Sequence, residues 1–295
     1  MILTLSGGEG DLLAALAPAL HFLLYLFSLA AAGAALFVAG FGRLQEASHA
    51  EADRRLVIAF ALGGAAAAWC WLATQVGVLS GGDLLDGEIW TMALGMGPGW
   101  SVLTATAGLA TLGAAAALRR LSLAPVLLGS AVLAASFTLV GHTSRVQPRA
   151  LLAALLVIHL LGAAFWTGSL WPLARASRPG GESAARLVEA WARVAGWVVP
   201  ALVVAGLLLA WLILGRTEKL VTTTYGWVLI LKAVLVGVLL AFAAWHRFQL
   251  TPALAARAPG SGQRLRRSIL LEIGVMVAVL WTVSELTSTT PLTAG

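Results

Sequence analysis

Charge is what this chain has least of. Only 11% of its 295 residues are charged, against roughly a quarter in a soluble domain, while 60% are hydrophobic and the mean hydropathy is +0.91. That balance excludes a soluble globular fold and leaves a polytopic membrane protein. Cysteine is nearly absent: the single Cys70 forbids an intrachain disulfide, says nothing of redox compartment, and reads as a small buried hydrophobe. The chain holds no glycine-rich phosphate loop with lysine, no HExxH and no carboxylate pair at one depth, so nothing supports hydrolysis or an ATP-driven pump built from this chain alone. The opening MILTLSGGEGDLL has no basic region and its first charge is Glu9, so the first helix is expected to direct its own insertion without a cleaved signal peptide.

What is present is a series of apolar runs. A hydrocarbon core of about 30 Å takes roughly 20 apolar residues as helix, and eight runs approach that length. They lie at about 12–41, 56–79, 100–118, 123–141, 151–171, 195–214, 225–248 and 268–290. The expected fold is therefore all-α, one membrane domain over 1–295, a bundle of eight transmembrane helices. Pro18 is tolerable at a helix start, which makes the segment before it interfacial and puts His21 in the first turn of the first helix. The charged stretch 175–193, with Pro179-Gly180-Gly181, reads as a solvent loop carrying a short surface helix. The first and fifth runs each hold a histidine followed by small residues, which suggests two parallel four-helix repeats, 12–141 and 142–291. Small-residue helix packing explains the same glycines without a duplication.

Fourteen of the nineteen basic residues fall in the loops after the odd-numbered runs. The opposite loops hold only Arg145, Arg149, Arg216 and Lys219, and Lys232 lies within the seventh run. A net charge of +6 could indicate nucleic acid, but arginines placed this way signal membrane topology, and no nucleic-acid partner is expected. The same bias puts both termini outside, along with the acidic loop that carries Asp83, Asp86 and Glu88 beside Met92 and Met96.

An ionisable side chain at mid-bilayer costs on the order of 3 kcal/mol or more unless it is used or paired, which makes His159 the first functional candidate. It stands about 15 Å down its helix, below His21 and His142 at the outer helix ends, while His49 and His246 fall at the inner surface. Imidazole suits copper and zinc, and thioether or thiolate narrows the choice toward Cu(I). Met92 and Met96 would share a face if their loop were helical, although packing beside Trp90 and Trp100 explains them as well. Lys232 and Glu285 come to one depth on the last two helices and are expected to pair. Arg247, His246 and Glu272 gather at the inner ends of the same two helices, where Glu272 could accept from Arg247.

The segments GHTSR, HLLGAAFWTGSLWPL, TTTYGWVLILKAVLVGVLLAFAAWHRFQLTPAL and LRRSILLEIGVMVAVLWTVSELTSTTP together resemble the copper resistance protein D (CopD) family over about 139–291. The resemblance implies a multi-pass protein of the bacterial inner membrane that moves copper inward, working with a small periplasmic copper-binding protein of the CopC type. By position it marks His142, His159, Trp166, Gly168, Lys232, Arg247, Pro252 and Glu272. His246 departs from the pattern, which leads to asparagine before the arginine. Two other readings stay open beside a copper permease, whose cargo would be Cu(I) or Cu(II). Paired histidines on membrane helices also ligate haem b, as in an electron carrier, and an assembly factor for a copper oxidase would transport nothing.

Overall fold

Apolar runs in hydrocarbon find no water for their backbone groups, and a helix closes those hydrogen bonds within one segment. The computed structural model describes residues 9–141, 146–178 and 181–288, which form helices joined by short turns and contain no strand. The elements are α1 (Glu9–Phe41), α2 (Ala47–Leu79), α3 (Gly87–Gly95), α4 (Gly97–Ala117), α5 (Leu123–Ser136), α6 (Arg149–Ala176), α7 (Gly181–Leu214), α8 (Lys219–Thr222), α9 (Thr224–Trp245), α10 (Thr251–Ala255) and α11 (Ser261–Ser288). Seven of them are long and apolar enough to cross a bilayer. The expected fourth span is the shorter α5, which a 3-10 turn over Phe137–Leu139 extends to about 27 Å. The fold is a polytopic membrane helix bundle.

Local chemistry sets several boundaries. The Asp86 carboxylate caps α3 by accepting from the amides of Glu88 and Ile89, and the Thr223 hydroxyl caps α9 by accepting from Gly226. Pro252 has no amide to give the carbonyl of Phe248, and here the chain widens into a π turn over His246–Leu250, with the Thr251 amide bonded to the carbonyl of His246.

Four sequence expectations are corrected. Helix α1 begins at Glu9 and runs through Pro18, so His21 lies three turns inside it and not in its first turn. The stretch expected as a solvent loop with a surface helix is instead the start of α7, which continues unbroken for 34 residues with Pro200 inside it. Its Ala184, Ala185, Leu187 and Val188 are buried in a core cluster, and that packing draws the amphipathic segment into the bundle. Helix α11 starts seven residues earlier than the apolar run, because arginines in its first turns remain outside the hydrophobic layer without breaking the helix. Cys70 is exposed on the outer face of α2, not buried.

Ion pairs gather the arginine-rich loops at one end of the bundle. Arg119 reaches Glu51 at 3.4 Å, Arg175 reaches Asp53 at 2.7 Å, and Arg257 reaches Glu182 at 3.1 Å, so the connections after α1, α4, α6 and α10 share that end. The apolar core forms two large clusters that do not follow the chain halves: Phe37 and Phe41 of α1 belong with the later helices, and Leu160, Ala164 and Leu280 with the earlier ones. Helix α1 packs on α2, α5, α6 and α11, whereas α9 lies at the edge, against α11.

The crossing of α1 over α6 is backbone on backbone. A Cβ on Gly33 would stand 2.7 Å from the Cα of Gly168 and would also strike the carbonyl of Ala164. A Cβ on Gly168 would likewise run into Gly33 and Ala34. Small residues are what allow this approach in lipid, where packing replaces hydrophobic drive. Leucine at Gly33 or Gly168 should cost more than the roughly 1–3 kcal/mol of ordinary overpacking. We expect either variant to lose the monodisperse peak in detergent size-exclusion, and Gly40→Leu, which meets nothing within 4 Å, to run as wild type.

Candidate functional site

One stripe of α6 carries both buried features of the site, since His159 and Trp166 are seven residues, or two helical turns, apart. His159 is half-buried, and its Nδ1 lies 3.0 Å from the carbonyl oxygen of Leu202 on α7. A carbonyl only accepts, so Nδ1 carries the proton and Nε2 holds the lone pair. Gly206 makes room for the ring: a Cβ there would stand 2.8 Å from Cε1 and 3.0 Å from Nδ1.

About 10 Å nearer the arginine-rich end, the Trp166 indole N–H donates to Oε1 of Glu272 at 2.6 Å. Glu272 is 1% exposed, and its other oxygen, Oε2, is fully buried without a hydrogen-bond partner. His246, the last residue with a regular helical amide bond before the π turn, sets Nδ1 3.4 Å from that oxygen and bonds Ser268 Oγ through Nε2 at 2.8 Å. These groups border a cavity of about 300 Å³ whose wall also includes Trp191, Pro200 and Arg247. Trp191 donates to Ser169 Oγ at 2.9 Å, fixing α7 against α6.

His21 is 5% exposed and stacked between two rings, Tyr25 at 4.9 Å and Trp71 at 5.2 Å between centroids. Phe137 stacks on the far face of Tyr25, and Thr287 Oγ1 stands 3.4 Å from the His21 Nδ1. Counted from the Gly33–Gly168 crossing, His21 and His159 lie about 18 and 14 Å toward the other end of the bundle. Counted along α11, between its contacts with Trp166 and His21, their difference is about 12 Å. The two imidazoles are thus separated in depth by one to two helical turns.

Other expected residues fall out differently. His142 lies outside the described residues. Met92 is in α3 but that helix ends at Gly95, and Met96 is extended, so the two do not share a helical face, and both are about half exposed. No ion pair joins Lys232 to Glu285 among the described residues, because equal depth does not fix the direction a side chain faces. Lys232 acts electrostatically on His159 instead. Glu272 does not accept from Arg247, whose guanidinium donates to the carbonyl of Ala192 at 3.3 Å. Among the described residues no three of His, Cys, Asp and Glu come together as a ready metal cluster. Neither described cavity is lined by two histidines, as a bis-histidine haem would need.

The sequence reading passed over Asp53. It is completely buried, accepting from Arg175 at 2.7 Å and Gln45 at 2.7 Å, and so ties the start of α2 to the end of α6. Its sequence signal is only a place in the mixed-charge EADRR stretch, which reads as loop.

The chain is thus an all-α membrane bundle that holds ionisable side chains, an imidazole and a carboxylate–imidazole pair, within its apolar helices, where such groups are candidates for function. The family models agree: Copper resistance protein D matches residues 185–286 and Copper resistance protein D-like, N-terminal domain, matches residues 12–147. The chain belongs to the copper resistance protein D family, which gives it a role in copper resistance or transport as a multi-pass inner-membrane protein. No curated protein and no solved structure matches it.

Removing one partner of a buried ion pair strands the other charge, at a cost of about 3–5 kcal/mol. Arg175→Met should therefore lower the thermal midpoint of the purified protein markedly. Adding Asp53→Asn should restore much of the loss, as a thermal-shift series on the two single variants and the double would read.

Proposed function

We propose that this protein carries copper from the periplasm to the cytoplasm, with His159 as the central ligand of the path. The observation that carries the reading is the bond from His159 Nδ1 to the Leu202 carbonyl, which holds an imidazole at mid-depth with Nε2 available to an ion. Neutral imidazole is a good copper ligand, and a hydrogen bond from its second nitrogen is the usual means of aiming it. Loop charge supports the direction: the arginine-rich end is cytoplasmic by the positive-inside bias, so an ion entering opposite it meets His21 and, by the order of the apolar runs, His142 before His159.

At the entry end, exposed Met92 and Met96 follow Asp83, Asp86 and Glu88. That thioether-bearing acidic surface is where a small periplasmic copper-binding protein of the CopC type would hand over its ion. Transport would run on the copper gradient, the membrane potential or a cytoplasmic sink.

His159→Ala should insert normally and abolish protein-dependent copper accumulation in cells, measured by elemental analysis against an empty vector. Gly206→Ala should reduce it without removing any ligand, because the added methyl displaces the imidazole from Leu202. Wild-type accumulation in cells carrying His159→Ala would end the reading, and so would stoichiometric haem in the purified protein.

A further inference from the structure

From the lining and position of the 300 Å³ cavity we infer that it binds one acidic phospholipid of the leaflet at the arginine-rich end, with the phosphate on Arg247 and an acyl chain inside. The inference needs the bundle to span a membrane and does not depend on the copper reading.

The first ground is what the walls present. The polar side chains at the back of the cavity are turned to one another: Trp166 N–H donates to Glu272 Oε1 at 2.6 Å, and His246 meets Ser268 Oγ through Nε2 at 2.8 Å. Glu272 Oε2 is fully buried, 3.4 Å from His246 Nδ1, and the Trp191 N–H goes to Ser169. Leucine, valine and alanine side chains make much of the remaining wall. The volume would hold about ten waters at roughly 30 Å³ each, but walls like these offer water few hydrogen bonds. An alkyl chain needs none.

The second ground is where the cavity lies. Helix α7 packs on α6 and α10, and α9 on α11, with no packed seam between α7 and α9 among the described residues. The cavity sits between these two, which are the least covered spans: 22% of the apolar window of the α7 span and 6% of that of the α9 span are buried inside the protein. Its lining residues Gly196 and Ala244 are exposed, and so are Trp197 and Phe248 beside the lining residues Gly196 and Arg247, so the opening faces hydrocarbon. On α7 the lining runs from Val188 to Pro200, about 18 Å, close to the roughly 15 Å of one leaflet's hydrocarbon. Leu265, also in the lining, stands between Arg264 and Arg266, which puts that end of the cavity at headgroup level.

The third ground is charge. Arg247 is exposed and reaches across the opening from the π turn to α7, where its Nη1 donates to the Ala192 carbonyl at 3.3 Å, and a Cβ on Gly196 would stand 3.4 Å from the same atom. No carboxylate pairs with it among the described residues. A guanidinium has five N–H donors in a fork that fits phosphate oxygens, and basic pockets between membrane helices are where acidic headgroups dock.

The test is native mass spectrometry of the purified full chain, delipidated and titrated with phosphatidylglycerol or phosphatidylcholine carrying the same acyl chains. Wild type should bind one phosphatidylglycerol more tightly than any later one and at least about fivefold more tightly than phosphatidylcholine, the worth of one arginine near charged lipid. Arg247→Gln should erase that preference, Arg247→Lys should keep part of it, and Arg216→Gln, at the opposite end, should leave it unchanged. Ala244→Phe, which puts a ring into the cavity and leaves the charge, should weaken both lipids, and glycerol phosphate without acyl chains should not compete. Equal affinity for the two lipids in wild type, a preference that survives Arg247→Gln, or binding untouched by Ala244→Phe would each overturn the inference. Copper accumulation in cells plays no part in this readout, so those results would leave the transport reading standing, and loss of that reading would leave the lipid site.

Discussion

The contact of Gly33 with Gly168 is the constraint on which the rest of the bundle depends. In lipid the alkane tails are as apolar as any leucine, so two helices gain by meeting only if their surfaces fit. With no side chain on either partner, α1 and α6 meet at their backbones, and this crossing is the closest approach of an early helix to a late one among the glycine contacts. It also fixes register. Once Gly33 is against Gly168, the height of His21 relative to His159 is set, and α11 can pack on both helices, with Ser284 bonded to the Pro18 carbonyl at one end and Glu272 bonded to Trp166 at the other.

Within that frame the buried polar groups are few, and their partners are specific. Asp53 has both oxygens occupied, by Arg175 and Gln45, and serves as a fastening at the arginine-rich end. His159, His246 and Glu272 differ from it: each has one polar atom hydrogen-bonded to a neighbour, and the second oxygen of Glu272 is buried without a hydrogen bond, with His246 Nδ1 3.4 Å away. In a medium of low dielectric an unfulfilled charge is expensive, and such atoms persist where something is meant to occupy them. The same economy explains why Trp166, an otherwise ordinary core residue, holds its N–H against a carboxylate.

Much of this was legible in the sequence. Apolar length and sparse charge disclosed a membrane bundle, depth singled out His159, and the later segments carried the family resemblance. Azimuth was not legible. Lys232 and Glu285 have matching heights, yet no direct ion pair joins them among the described residues, and the sequence carries no signal for which neighbour a helix face meets. Continuity was misread for a related reason: the charged start of α7 and the arginines of α11 look like loop by composition, but a helix runs on into water as long as its core face stays covered. Asp53 was missed because its partner, Arg175, is 122 residues away. The His246–Glu272 approach brings together two helices, α9 and α11, whose facing sides the sequence does not mark.

Pro200 sits in α7 only two residues before Leu202, and it lines the cavity below. Proline has no amide to bond the carbonyl one turn back, so this is the softest turn of a 34-residue rod. On the arginine-rich side of it the rod is anchored, by Trp191 to Ser169 and by Ala192 to Arg247. Beyond it, the rod carries the carbonyl that aims the His159 ring. Pro200 thus stands between the cavity it lines and the carbonyl that aims the His159 ring, so the bend of the rod at this one turn sets the direction of an imidazole on another helix.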